Sequence, residues 1–179
     1  MVAKNGKVIY EGHWKNNKKE GKGVSYYETG YVQYTGEFRS DHYDGKGVYY
    51  DQDSFKIYEG CWKIGQKSGK GKCYYNNGNI KYQGLFAKDD YNGYGIYFHP
   101  LYNGVSIYEG EFVDGKKEGK GIGLYFSKVK GKEDAIEKKY DGNWRSGKWH
   151  GDGVLYERNW EKGSMEGKQG RWKEGSIVL

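Results

Sequence analysis

An all-β fold, an elongated and twisted antiparallel sheet of stacked β-hairpins, is predicted by three observations. A pattern Tyr-x-Gly-x-(Trp/Phe) recurs six times, starting at Tyr10, Tyr34, Tyr58, Tyr82, Tyr108 and Tyr140. Each copy is followed by a Gly-x-Gly whose first glycine stands 11 residues after the tyrosine. Inside each motif the aromatic residues and glycine alternate with polar ones, which is the two-residue period of a strand. The composition points the same way. The chain of 179 residues holds 31 Gly, 20 Tyr, 6 Trp and 6 Phe, whereas Leu, Ile, Val and Phe together supply only 30. So small an aliphatic share ordinarily marks disorder. Here aromatics make up 18% of the chain and the net charge is only +6, so area can be buried without large charge repulsion.

The first strand of each unit carries its Tyr, Gly and Trp or Phe on one face. These positions are the expected aromatic core: Tyr10, Trp14, Tyr34, Phe38, Tyr58, Trp62, Tyr82, Phe86, Tyr108, Phe112, Tyr140 and Trp144. The glycine leaves a slot in which an aromatic ring can lie on backbone. A tight turn is expected next. Seven residues past each tyrosine stand Asn17, Asp41, Gly65, Asp89, Gly115 and Gly147, all residue types that tolerate positive φ. The second strand runs through the Gly-x-Gly. Three and five residues past its first glycine, Val24, Val48, Ile96, Ile122 and Val154 share a face with Tyr26, Tyr50, Tyr74, Phe98, Leu124 and Tyr156. Lys72 is the exception in the three-residue slot.

Units start 24, 24, 24, 26 and 32 residues apart, so variation lies between units and not inside them. Residues 1–179 form a single array, with room for helix only in the link Lys132 to Lys139 and near Trp160. Twelve strands at ~4.8 Å each give roughly 58 Å of sheet, which has to twist and curl to bury one face. Residues 168–179 make a partial seventh unit, with Lys168 where tyrosine is expected and Trp172 in the aromatic place. No Gly-x-Gly follows, so this tail is expected to act as a cap or a docking edge.

The chemistry-bearing residues point away from catalysis, metals and cofactors. Gly-Lys-Gly occurs four times but lacks the spacing of a phosphate loop. His13, His42, His99, His150, Cys61 and Cys73 show no metal-ligand spacing. The two cysteines fall on the two strands of the third unit, where they are expected to face outward and could face each other. Glu11, Glu59, Glu109 and Asp141 recur one residue past the tyrosine, a repeated solvated row and not an acid–base pair. With 24 acids against 30 Lys and Arg, and only four Arg, nucleic acid is not an expected partner. No apolar run reaches membrane-span length and the N-terminal segment has no apolar core, so the expectation is a cytoplasmic chain, neither secreted nor membrane-spanning.

One pattern lies outside the expected core. Tyr27, Tyr49, Tyr75, Tyr97 and Tyr125 stand four or six residues past the first glycine, one in each of the first five units, opposite the Val and Tyr positions of the second strand. They form a candidate protein-binding stripe for an extended or helical partner segment.

Tyr-x-Gly-x-(Trp/Phe), a turn and Gly-x-Gly resemble the MORN repeat (membrane occupation and recognition nexus), over about Val8 to Tyr156, with a partial seventh copy at Gly170-Arg-Trp172. Tyr94 and Asp152 inside the Gly-x-Gly, Lys72 and the long fifth link depart from the pattern. The resemblance implies stacked β-hairpins and no chemistry of its own. It implies a non-catalytic interaction scaffold or tether that binds another protein within a larger assembly, in a cytoskeletal or ciliary setting. Its alternative implication is a phospholipid-binding module that contacts acidic headgroups at a membrane surface.

Overall fold

A computed structural model describes residues 6–101, 104–127, 135–159 and 161–178. These residues form fourteen strands and no helix, and within each of two compact units the strand order follows the chain order. Two compact units divide the chain, Met1–Asp90 and Tyr91–Leu179. The first holds β1 (Tyr10–Lys15), β2 (Lys18–Tyr26), β3 (Val32–Arg39), β4 (His42–Tyr50), β5 (Lys56–Lys63), β6 (Gln66–Tyr74) and β7 (Ile80–Ala87). The second holds β8 (Asp90–Phe98), β9 (Ser106–Val113), β10 (Lys116–Ser127), β11 (Ala135–Arg145), β12 (Lys148–Asn159), β13 (Ser164–Lys173) and β14 (Ser176–Val178).

Each repeat closes through a two-residue turn in which both residues are left-handed. Asn16 and Asn17 have φ of 50° and 58°, Ser40 and Asp41 48° and 72°, Ile64 and Gly65 49° and 76°. This is the type I′ turn, whose twist matches that of the flanking strands. All six expected turn residues have positive φ. Beyond the turn the strands fall out of step. From Gly12 to Trp14, β1 advances two residues while β2 covers four, Lys19 to Gly23. The same shift follows Gly36, Gly60 and Gly142. The extra length is a bulge, and a left-handed glycine takes it up: φ is 67° at Gly21, 72° at Gly69 and 62° at Gly151. The first glycine of Gly-x-Gly is therefore a backbone requirement.

The second glycine and the first-strand glycine serve packing instead. They pair directly across the hairpin, Gly12 with Gly23 and Gly60 with Gly71. The motif tyrosine two residues earlier lays its ring over the pair. Its hydroxyl donates to the carbonyl three residues on: Tyr10 to His13 at 3.0 Å, Tyr58 to Cys61 at 2.9 Å and Tyr140 to Asn143 at 3.0 Å. Ring and hydroxyl are both satisfied, and all six tyrosines are buried.

Successive repeats join by a second set of contacts. The Trp or Phe of one repeat meets the preceding tyrosine edge-on, as in Tyr10–Phe38 at 5.1 Å and Tyr108–Trp144 at 5.1 Å. Indole N–H groups also reach back: Trp62 donates to the Gly47 carbonyl at 3.3 Å and Trp144 to that of Gly121 at 2.9 Å. The turn N–H does the same, with Gly65 bonding the Tyr43 carbonyl at 2.8 Å and Gly147 that of Lys117 at 2.9 Å. These bonds run from inside one repeat to inside the repeat before it, so the link between them is free to vary in length.

Several expectations need correction. The seventh unit is a complete hairpin, because β14 pairs back onto β13 and Ile177 lies over Gly170. That raises twelve strands to fourteen. The long fifth link holds no helix in its described part, since Ala135 to Lys139 belong to β11, which extends the hairpin with β10. The remainder of that link and Trp160 lie outside the described residues. Eleven of the twelve expected core aromatics are buried, but Trp14 is 43% exposed. Its counterparts lie against a tyrosine of the preceding repeat, and Trp14 has no such described neighbour.

Burial raises the phenol pKa of the motif tyrosines, with Tyr82 and Tyr140 pushed up to about 12. A proton held more tightly in the folded state makes stability fall as pH climbs past the unfolded value of about 10. The urea midpoint is expected to be level from about pH 7 to 9 and to drop between about pH 10 and 12. A midpoint unchanged at about pH 11 would mean that water reaches these rings.

Candidate interaction surface

The hairpin register divides each repeat's side chains between two faces. Directly paired residues share a face, and Tyr34 pairs with Tyr49, Tyr58 with Tyr49 and Cys73, Tyr108 with Tyr97 and Gly123. Tyr49 and Tyr97 therefore lie on the face of the aromatic core, and alternation brings Tyr27, Tyr75 and Tyr125 to it as well. The Val and Tyr row of the second strand occupies the other face, where Val24 pairs with Glu11 and Val48 with Glu59. The expected stripe thus adjoins the core instead of lying away from it. Tyr27, Tyr49, Tyr75 and Tyr97 are half-buried, and Tyr125 is 36% exposed.

In the first unit the Tyr27 hydroxyl donates to the Tyr50 carbonyl at 2.7 Å and stands 3.2 Å from the Tyr49 hydroxyl. Burial and then the Tyr49 contact raise the Tyr27 phenol well above its usual range. Tyr49 leans toward Trp62 and Tyr43, at 6.1 and 6.2 Å between ring centres. In the second unit Tyr125 accepts from the Trp149 indole at 2.9 Å, and Tyr97 lies 6.2 Å from Tyr91.

A row that sequence reasoning missed covers the motif tyrosines. Nine residues past each stand Lys19, Tyr43, Lys67, Tyr91, Lys117 and Trp149. Tyr43 stacks on Tyr34 at 3.9 Å and Trp149 on Tyr140 at 4.8 Å. In the same place, the Lys19 ammonium is 5.0 Å from the centre of the Tyr10 ring, Lys67 5.6 Å from Tyr58 and Lys117 4.7 Å from Tyr108. Flat rings and cations thus replace one another over the same π-face. Lys117 also meets Trp144 at 4.9 Å, and burial lowers its pKa.

The other face is charged and mixed. Lys56 pairs with Glu59 at 2.8 Å, which holds the lysine pKa up and the carboxylate pKa down. Lys72 stands 3.9 Å from Glu59, so the lysine in an apolar slot is a solvent-facing partner of that acid. Val24, Tyr26, Tyr31, Val32 and Tyr50 line an open hollow there. Lys22, Lys46 and Lys70 are exposed beyond it and form no ion pair among the described residues. The cysteines do not meet: Cys73 is buried beside Tyr58 on the aromatic face, and Cys61 pairs with Lys46 on the other. Among the described residues no group of three His, Cys, Asp or Glu side chains is placed to hold a metal ion, and no helix is long and apolar enough to cross a membrane.

A family model described as MORN repeat matches residues 10–30, 34–54, 58–80, 82–100, 108–122 and 140–158. No curated protein matches the chain.

Proposed function

Because this chain belongs to the MORN-repeat family, whose repeats occur in protein- and lipid-interaction modules and are generally non-enzymatic, we propose that it is a scaffold or tether that binds another protein on its aromatic face. The observation that carries this reading is the second tyrosine layer. Tyr27 and Tyr49 in the first unit, and Tyr97 and Tyr125 in the second, stand half-buried or exposed beside a core that the motif aromatics already fill. Rigid phenol rings with polar tips suit a protein interface at small entropic cost. The setting proposed is a cytoskeletal or ciliary assembly in the cytoplasm.

The test compares affinity capture by the native chain and by Tyr49→Ser/Tyr75→Ser/Tyr97→Ser, with urea unfolding of both. Capture is expected to fall about tenfold or more while cooperative unfolding persists. Unchanged capture with collapsed stability would make the stripe purely structural. The exposed row Lys22, Lys46 and Lys70 favours a second reading, contact with acidic phospholipid headgroups. Flotation with phosphoinositide vesicles separates the two, because that row lies away from the tyrosines.

A further inference from the structure

Among the described residues, the aromatic face of the first unit carries cations and no anions paired with them. At its three paired strand levels stand the motif tyrosines, the paired glycines, the aromatics Trp14, Phe38 and Trp62, the row Lys19, Tyr43 and Lys67, and then Ser25, Tyr49 and Cys73. None of these is an acid. The strand carboxylates Glu11, Glu37 and Glu59 belong to the opposite face by alternation. Asp41 and Asp89 come near, each accepting with one carboxylate oxygen from the backbone N–H of Lys19 or Lys67, at 2.8 and 2.9 Å, and among the described residues neither forms an ion pair with the ammonium groups. The two ammonium groups make cation–π contacts and, among the described residues, no ion pair, and both residues are half-buried. A partner that covers them with apolar surface alone would strip them of water without return.

Deepening the protein-binding reading, on which it rests, we infer that the partner is an acidic amphipathic helix lying across the strands of the first unit. It places carboxylates over Lys19 and Lys67 and an apolar residue over Tyr43 and Tyr49. The spacing selects the helix. Lys19, Tyr43 and Lys67 sit on β2, β4 and β6, so each step crosses two strand intervals, ~9.6 Å. A helix rises ~10.5 Å in seven residues and returns to nearly the same face after them. Acid, apolar residue and acid about seven residues apart therefore meet the row in order. An extended strand covers ~9.6 Å in about three residues, and that odd step turns the middle side chain away.

Three synthetic, fluorescein-labelled helical peptides in an Ala/Gln host test the inference by anisotropy. The first has two glutamates about fourteen residues apart with leucine midway. The second replaces both glutamates with glutamine. The third keeps both charges but moves one glutamate to the opposite side of the helix. The first is expected to bind at least about tenfold more tightly than either control, and Lys19→Gln/Lys67→Gln is expected to erase the difference. Circular dichroism and urea unfolding of that variant establish that it folds. Three outcomes overturn the inference: no binding of the first peptide, equal binding of all three, or an unchanged preference in the double lysine variant. Tighter binding when a central proline breaks the peptide helix also overturns it in favour of an extended segment. So does loss of phosphatidylserine-vesicle binding in the variant with no peptide preference in either protein, in favour of a lipid surface. If all three peptides bind alike and the tyrosine triple variant loses them, the scaffold reading stands and only the helix inference falls. If the tyrosine variant retains full capture of its partner, the scaffold reading itself falls.

Discussion

Gly71→Ala is expected to lower stability by about 3 kcal/mol or more, the upper range for forcing extra carbon into a packed site. The added Cβ would stand 2.5 and 2.6 Å from Cζ and Cε2 of Tyr58. The ring has little room to retreat. Its hydroxyl is tied to the Cys61 carbonyl at 2.9 Å, and its edges meet Trp62 and Phe86 at 5.0 Å each. Gly78→Ala is the control: its φ is 83°, and a Cβ there would meet nothing within 4 Å. Only backbone strain applies, ~1–2 kcal/mol. Urea unfolding of both variants decides the matter, and equal losses would show that the tyrosine does not occupy the space over the glycine pair.

Trp62→Ala carries the second large effect, roughly 3–5 kcal/mol for emptying a buried large aromatic. Trp62 is 7% exposed, meets Tyr34, Tyr43 and Tyr58 at 5.0–5.6 Å and bonds the Gly47 carbonyl. Trp14 fills the same motif position in the first repeat with 43% exposure and a ring contact to Tyr10 at 5.1 Å, its own hairpin's tyrosine. Its replacement by alanine is expected to cost under about half as much. A comparable loss at both positions would place the stabilisation within single hairpins and not between them.

Much of this fold was legible in the sequence because its demands fall on single residue types at fixed offsets. Positive φ in the turn selects Asn, Asp and Gly, and the ring over paired backbone selects glycine. Trp14 was misread because the same letter at the same offset is buried only where a preceding tyrosine lies beside it. The Lys19, Tyr43, Lys67 row is hidden in the sequence for another reason: a cation and a flat ring do one job, so no residue type repeats. Its one mark in the sequence is a long side chain at a fixed nine-residue offset from each motif tyrosine. The turn N–H bonds to the preceding repeat leave no trace in side-chain identity. The tyrosine stripe is visible as a pattern, but its place beside the core follows from the pairing of Tyr49 with Tyr34 and Tyr58, which the pattern does not state. The second strand of the seventh repeat, Ser176–Val178, lacks the Gly-x-Gly of the others, so the sequence carries no mark of it.

The backward direction of the bonds between repeats has a consequence for biosynthesis. The indoles of Trp62, Trp144 and Trp172, and the turn N–H groups of Asp41, Gly65, Asp89, Gly115, Gly147 and Gly175, reach acceptors that lie earlier in the chain, such as Gly47 for Trp62 and Tyr43 for Gly65. A hairpin leaving the ribosome thus finds its docking groups already made and does not wait for sequence still to be translated. Within each unit every strand pairs only with its chain neighbours, so loop closures stay short and growth can proceed hairpin by hairpin. Nascent chains stalled after the third repeat should already protect Tyr34 and Trp62 from solvent, while Tyr58 awaits Phe86 from the fourth.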